Sequence, residues 1–126
     1  MPAAEVVDLA DELFAAIERG DEARIDELFA DDIAVWRAGA RRDDDKVRAL
    51  KVLHWFIDVT TQRRYEILDR QLFQDGFVQQ HILHAAGRNG GSIALRVCIV
   101  IKVGVNALIS RIDEYFDPAD LAPLMG

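Results

Sequence analysis

At 126 residues, 51% of them apolar, the chain has the size and composition of one globular domain, expected to span 1–126 and to bury about two-thirds of its unfolded surface. A formal charge of -7 excludes nucleic acid as a partner, because phosphates demand a Lys/Arg surface, and favours small molecules or proteins instead. The single cysteine, Cys98, cannot close an internal disulfide, "MPAAEVVDLADELF" has no basic n-region, and the apolar run near 97–101 is too short to cross a bilayer; the expected setting is cytoplasmic, without a membrane.

The apolar positions Val6, Leu9, Ala10, Leu13, Phe14 and Ile17 recur at helical spacing, and Gly20 ends the run. Asp21 is placed to cap a short second helix carrying Ile25, Leu28 and Phe29 on one face. "DDIAVWRAG" reads as a first strand leading into the loop "GARRDDD". The acids Asp43 to Asp45 suit the positive end of a helix dipole, so a third helix is expected from there to about Val59. From Arg63 onward the period becomes two, with turn signals at "QDG", "GRNGG" and "GVNA". Three helices therefore precede a meander of four strands, with the earlier strand as a partner. The expected class is α+β: three N-terminal helices packed on a curved, mainly antiparallel sheet.

Residues 93–103 fix which side of the sheet is inside. Ile93, Leu95, Val97, Ile99, Ile101 and Val103 are all apolar, while the alternate set includes Arg96 and Lys102, so the odd positions face the core. Closing "GRNGG" symmetrically sets Leu83 opposite Leu95, His81 opposite Val97 and Gln79 opposite Ile99. Closing "GVNA" sets Leu108 opposite Val103, Ile112 opposite Ile99 and Glu114 opposite Val97. Leu108, Ile112 and Phe116 then face inward, whereas a one-residue slip would bury Arg111 and Asp113. Glu114 and His81 thus share a row, on strands whose backbones lie about 10 Å apart. Burial raises a carboxyl and lowers an imidazole, the arrangement that suits proton transfer near neutral pH. The neighbour of His81 on the preceding strand is Asp69 if "QDG" is a three-residue loop, or Arg70 if Asp75-Gly76 forms the turn.

Other side chains extend this candidate pocket. Arg37 at the end of the first strand could hold an anionic or enolate oxygen, Trp55 or His54 could line the mouth, Tyr65 could meet a ligand at the rim, and Ile112 would line the wall beside Glu114. No metal is expected, since His81 and His84 point to opposite sides of their strand. No cofactor is expected either, because "GRNGG" joins two strands and not a strand to a phosphate-binding helix. Cys98 faces away from the pocket with no base beside it and reads as a packing residue. With Val78, Ile82 and Val100 it makes the outer sheet face apolar enough to suggest a partner.

Two stretches, "AAIERGDEARIDELFADDIAVW" at 15–36 and "ISRIDEYFDPADLAPL" at 109–124, resemble the SnoaL-like and nuclear transport factor two-like superfamily, which includes ketosteroid isomerase and limonene epoxide hydrolase. The resemblance implies a cone-shaped cavity, an acid–base enzyme acting on a mostly apolar small molecule, and a homodimer paired through the outer sheet face. It also shows departures. The places of the steroid isomerase's tyrosine and two acids hold Leu13, Arg37 and Ile99, which argues against that activity. One catalytic aspartate of the epoxide hydrolases falls on Glu114, but their arginine–aspartate pair falls near Gln79 to Ile82, where the chain reads Gln-Gln-His-Ile.

Overall fold

Acids and a glycine punctuate the N-terminal half, and each becomes a helix end. The computed structural model describes residues 1–126. Helix α1 (Ala3–Arg19) stops at Gly20, whose φ of 72° is the left-handed conformation in which glycine pays no Cβ penalty. Helix α2 (Glu22–Leu28) begins with the Arg24 N–H donating to the Asp21 carboxylate at 3.1 Å. Strand β1 (Phe29–Arg37) follows directly. Helix α3 (Lys46–Val59) starts in the same way, with the Arg48 N–H donating to Asp45 at 3.0 Å. The three expected helices and the first strand are all present.

The second half is a meander: β2 (Thr60–Phe73), β3 (Gly76–Gly87), β4 (Ser92–Val103) and β5 (Ile109–Tyr115), then a 3-10 helix at Pro118–Leu124. The sheet order is β1-β5-β4-β3-β2, with β1 parallel to β5 and every other pair antiparallel. The class is α+β, as expected, with the helices covering one face of a curved sheet. Period-two alternation is nearly perfect on β4, where every odd residue from Ile93 to Val103 is buried. Val6, Leu13, Phe14 and Ile17 of α1 join Phe77, Leu95, Val97 and Ile101 of the sheet in one apolar core. Each such burial removes apolar area from water and contributes about 1.5–3 kcal/mol.

The β3–β4 register is the expected one, with Leu83 opposite Leu95, His81 opposite Val97 and Gln79 opposite Ile99. The last hairpin is not. Asn106 and Ala107 both take positive φ inside a 3-10 turn at Val105–Ala107, and a bulge lies just before it between Lys102 and Val103. Most of β5 therefore slides by two residues: Glu114 lies opposite Ile99 instead of Val97, and Ile112 opposite Ile101 instead of Ile99. A slip of two preserves the face, so Ile112 stays buried, but at the bulge Ile109 and not Leu108 fills the core. Strand β2 also starts earlier than expected, at Thr60, whose hydroxyl donates to the Phe56 carbonyl and closes off α3.

Candidate functional site

Helices α1 and α3, the inner sheet face and the C-terminal 3-10 helix line a partly open cavity of about 110 Å³. Fifteen of its seventeen lining residues are apolar, and the two exceptions are Arg37 and Glu114. Such a composition, a greasy wall with a few convergent polar groups, is the usual form of a small-molecule site.

The polar pole is built by the parallel β1–β5 ladder, which makes Arg37 and Glu114 partners. The Ala38 N–H donates to the Glu114 carbonyl at 2.9 Å and locks the ends of the two strands together. The Arg37 Nε stands 3.5 Å from Glu114 Oε1, and its Nη1 donates to Asp44 Oδ2 at 3.3 Å. Asp44 is held there by a two-way backbone bridge to Val35. One guanidinium thus sits between two carboxylates. Burial pushes the Glu114 carboxyl above the ordinary carboxylate range, with the Arg37 charge opposing only in part. Beside it, the Tyr65 ring lines the cavity, and its phenol is raised first by burial and then by the charges of Glu114 and Glu18.

Arg37, Trp55, Tyr65, Ile112 and Glu114 accordingly line one cavity. The two histidines do not. His54 is an exposed residue of α3 whose Nδ1 lies 2.7 Å from Glu22, tying α3 to α2 on the outside. His81 is 1% exposed and faces inward, yet it lies behind the cavity wall and does not line it. Its ring is flanked edge-on by Phe14 and Tyr65, at centroid distances of 5.6 and 4.9 Å. The expected row shared by His81 and Glu114 is absent: with Glu114 opposite Ile99 and His81 opposite Val97, the intervening strand β4 and one row separate them, about 12 Å between backbones. Desolvation first, and the Arg70 charge second, push the imidazole down to about 4.

Neither alternative for the neighbour of His81 describes the strand fully. A bulge near Leu68 sets Ile67 opposite His81, while Arg70 stands one row on, opposite Gln79. Arg70 then reaches the histidine through Gln79, whose side chain is 2.8 Å from both. Sequence reasoning missed Asp44, which carries no signal beyond being one of three acids in a loop. It also missed Leu121 of the C-terminal helix, although Phe116, expected inward, does line the cavity. No group of three or more metal-ligating side chains clusters anywhere in the chain. No helix is long and apolar enough to cross a membrane.

A helix-covered, strongly curved sheet closing on a pocket with a polar pole defines the class of cone-shaped α+β proteins. Within it, residues 10–112 match the SnoaL-like domain family, and the chain belongs to that family. No curated protein matches it in sequence. Among solved structures it is similar to a candidate SnoaL-like polyketide cyclase from Shewanella denitrificans, at 13% identity and TM-score 0.82 over 98% of both chains. It is similar also to a limonene epoxide hydrolase-like enzyme of M. tuberculosis, at 17% identity and TM-score 0.78 over 97% of this chain and 90% of that one. A third similar structure, from Catenulispora acidiphila, has a ketosteroid isomerase-like fold and holds trimethylamine, at 12% identity and TM-score 0.76 over 93% and 92% of the two chains. At these identities the likeness shows a shared fold.

Proposed function

We propose that the protein is a SnoaL-like small-molecule enzyme, an isomerase, cyclase, dehydratase or hydrolase, in which Glu114 transfers the proton. The observation that carries this reading is the single carboxyl of raised proton affinity set in an otherwise apolar cavity, in contact with one guanidinium. Arg37 would hold the substrate oxygen on which charge develops, with Trp55, Tyr65 and Ile112 shaping the wall around it.

Charge and volume narrow the substrate. Arg37 is already shared by Asp44 and Glu114, so the pole has no surplus positive charge to draw in a carboxylate ligand. A neutral, mainly apolar molecule bearing a carbonyl or hydroxyl fits. The inner part of this partly open cavity, about 110 Å³, takes a group somewhat smaller than benzene, judged by a cavity of about 150 Å³ that takes benzene. Titration of small cyclic ketones and alcohols, followed by Trp55 fluorescence in a Trp36→Phe background, is expected to show saturable binding weakened at least tenfold by Arg37→Leu. Matched carboxylates should not bind. Equal binding of both series would overturn the assignment of the pole.

The small volume also favours a second reading, a binding module without chemistry, which predicts ligand binding but no turnover dependent on Glu114. Under either reading the outer face, where Val78, Ile82, Cys98 and Val100 are only half-buried, is proposed to pair with a second copy of the chain. Light scattering should give twice the mass of the chain, and Ile82→Glu should halve it; a wild-type monomer at micromolar concentration would end this part of the proposal.

A further inference from the structure

A chain of polar side chains runs inward from the surface behind the cavity wall and has no part in the proton transfer proposed for Glu114. The Asp11 carboxylate on α1 accepts from Arg70 Nη1 at 2.8 Å, and Arg70 Nε donates to Gln79 Oε1, also at 2.8 Å. The far side of the Gln79 amide lies 2.8 Å from His81 Nδ1. Gln79 and His81 are 0% and 1% exposed, and the Arg70 guanidinium is seated over the Phe77 ring, 5.6 Å from its centroid. The chain ends at His81 Nε2, which is buried and has no partner.

The chemistry of the donors orients every member. A guanidinium has donors and no acceptor, so the Gln79 group facing Arg70 must be its oxygen. The amide nitrogen then faces His81, and since it too can only donate, Nδ1 must present a lone pair. The remaining ring proton of a neutral imidazole can lie only on Nε2. A second proton at Nδ1 would point at the amide N–H, so the same contact disfavours the imidazolium.

We propose that Gln79, held by Arg70, is a positioning residue that fixes His81 as the neutral Nε2–H tautomer, leaving that imidazole free to donate a hydrogen bond to a neutral oxygen atom but not to act as a base. The proposal deepens the functional reading and rests on it in one respect only: proton transfer then falls to Glu114 alone. His81 in turn stiffens the wall, because Tyr65 and Phe14 pack against its ring.

The test is ¹⁵N NMR of the histidine rings in the intact, labelled protein, with His81 assigned by its disappearance in His81→Phe. Near neutral pH the wild type is expected to show an unprotonated Nδ1 and a protonated Nε2. Gln79→Glu offers a carboxylate that accepts from both Arg70 and His81, so the proton should move to Nδ1 and the proton affinity of the ring should rise more than tenfold. Arg70→Lys, which also only donates, should keep the wild-type pattern, whereas Arg70→Leu should give mixed tautomers. A wild-type ring protonated at Nδ1 or averaging between tautomers would overturn the proposal without any Gln79 or Arg70 variant having to fold, and so would an unchanged pattern in Gln79→Glu. No ligand or turnover is needed, so failure here is distinct from failure of the role given to Glu114.

Discussion

Replacing Glu114 by glutamine is expected to lower kcat by about 10²–10⁴-fold, the usual worth of a positioned general acid or base, while leaving ligand affinity within about threefold. Glutamine keeps the length and shape of the side chain and can still accept from Arg37 Nε, which stands 3.5 Å from the carboxylate. What it cannot do is take up or release a proton. Loss of kcat with binding intact therefore isolates proton transfer from packing, a separation that Glu114→Ala, which would open a void, could not make. Stability should move the other way. Burial raises the proton affinity of Glu114 in the folded state, so the ionised form is held there at a cost that appears as pH rises through the folded value. A neutral isostere removes that cost, and the variant should melt no lower than wild type at neutral pH. Turnover preserved in Glu114→Gln, measured on any substrate the wild type consumes, would return the protein to the binding-module reading.

Strand parity was the most legible feature, because six apolar residues alternating from Ile93 to Val103 admit only one inward face. That parity carried Glu114, Ile112 and His81 to the correct side, and the paired glycines of "GRNGG" fixed the β3–β4 register without error. The error entered at "GVNA", where Ala107 adopts a φ of 57° that an L-residue with a Cβ seldom takes and that nothing in its identity announces. A slip of two leaves hydrophobic alternation unchanged, so periodicity cannot detect it, yet it moves Glu114 one row from His81 and dissolves the expected acid–base pair. The replacement partner, Arg37, was in view as a pocket residue, but its pairing with Glu114 depends on β1 running parallel beside β5. Sequence-adjacent hairpins say nothing about that contact, which spans most of the chain. Asp44 and Leu121 reach the site from a loop and the C-terminal helix, elements with no periodicity to read.

His81 makes a separate, measurable demand on the folded state. Acidification from pH 6.5 to pH 4 is expected to cost about 3 kcal/mol of stability through this residue, at about 1.4 kcal/mol for each pH unit between its ordinary and its buried proton affinity. In the unfolded chain the imidazole binds a proton below pH 6.5, whereas the buried ring declines it until about pH 4. Across that window the unfolded state holds more protons, so stability falls as pH falls; above it the contribution is fully present, and below it no further loss occurs. Glu114 acts in the opposite sense, since its raised folded value makes the native state bind protons more tightly as acid is added. The surface carboxylates Glu12 and Asp43, lowered mainly by hydrogen bonds from Arg19 and Arg111, add to the loss at still lower pH. The His81 share is therefore read as a difference: urea unfolding of wild type and His81→Leu at a series of pH values, one curve subtracted from the other. The variant will be less stable at neutral pH, where Gln79 loses its acceptor, but the gap should close by about 3 kcal/mol between pH 6.5 and 4. A gap that stays constant would mean that the ring charges normally in the folded protein, and that the polar chain from Asp11 through Arg70 and Gln79 does not hold it neutral.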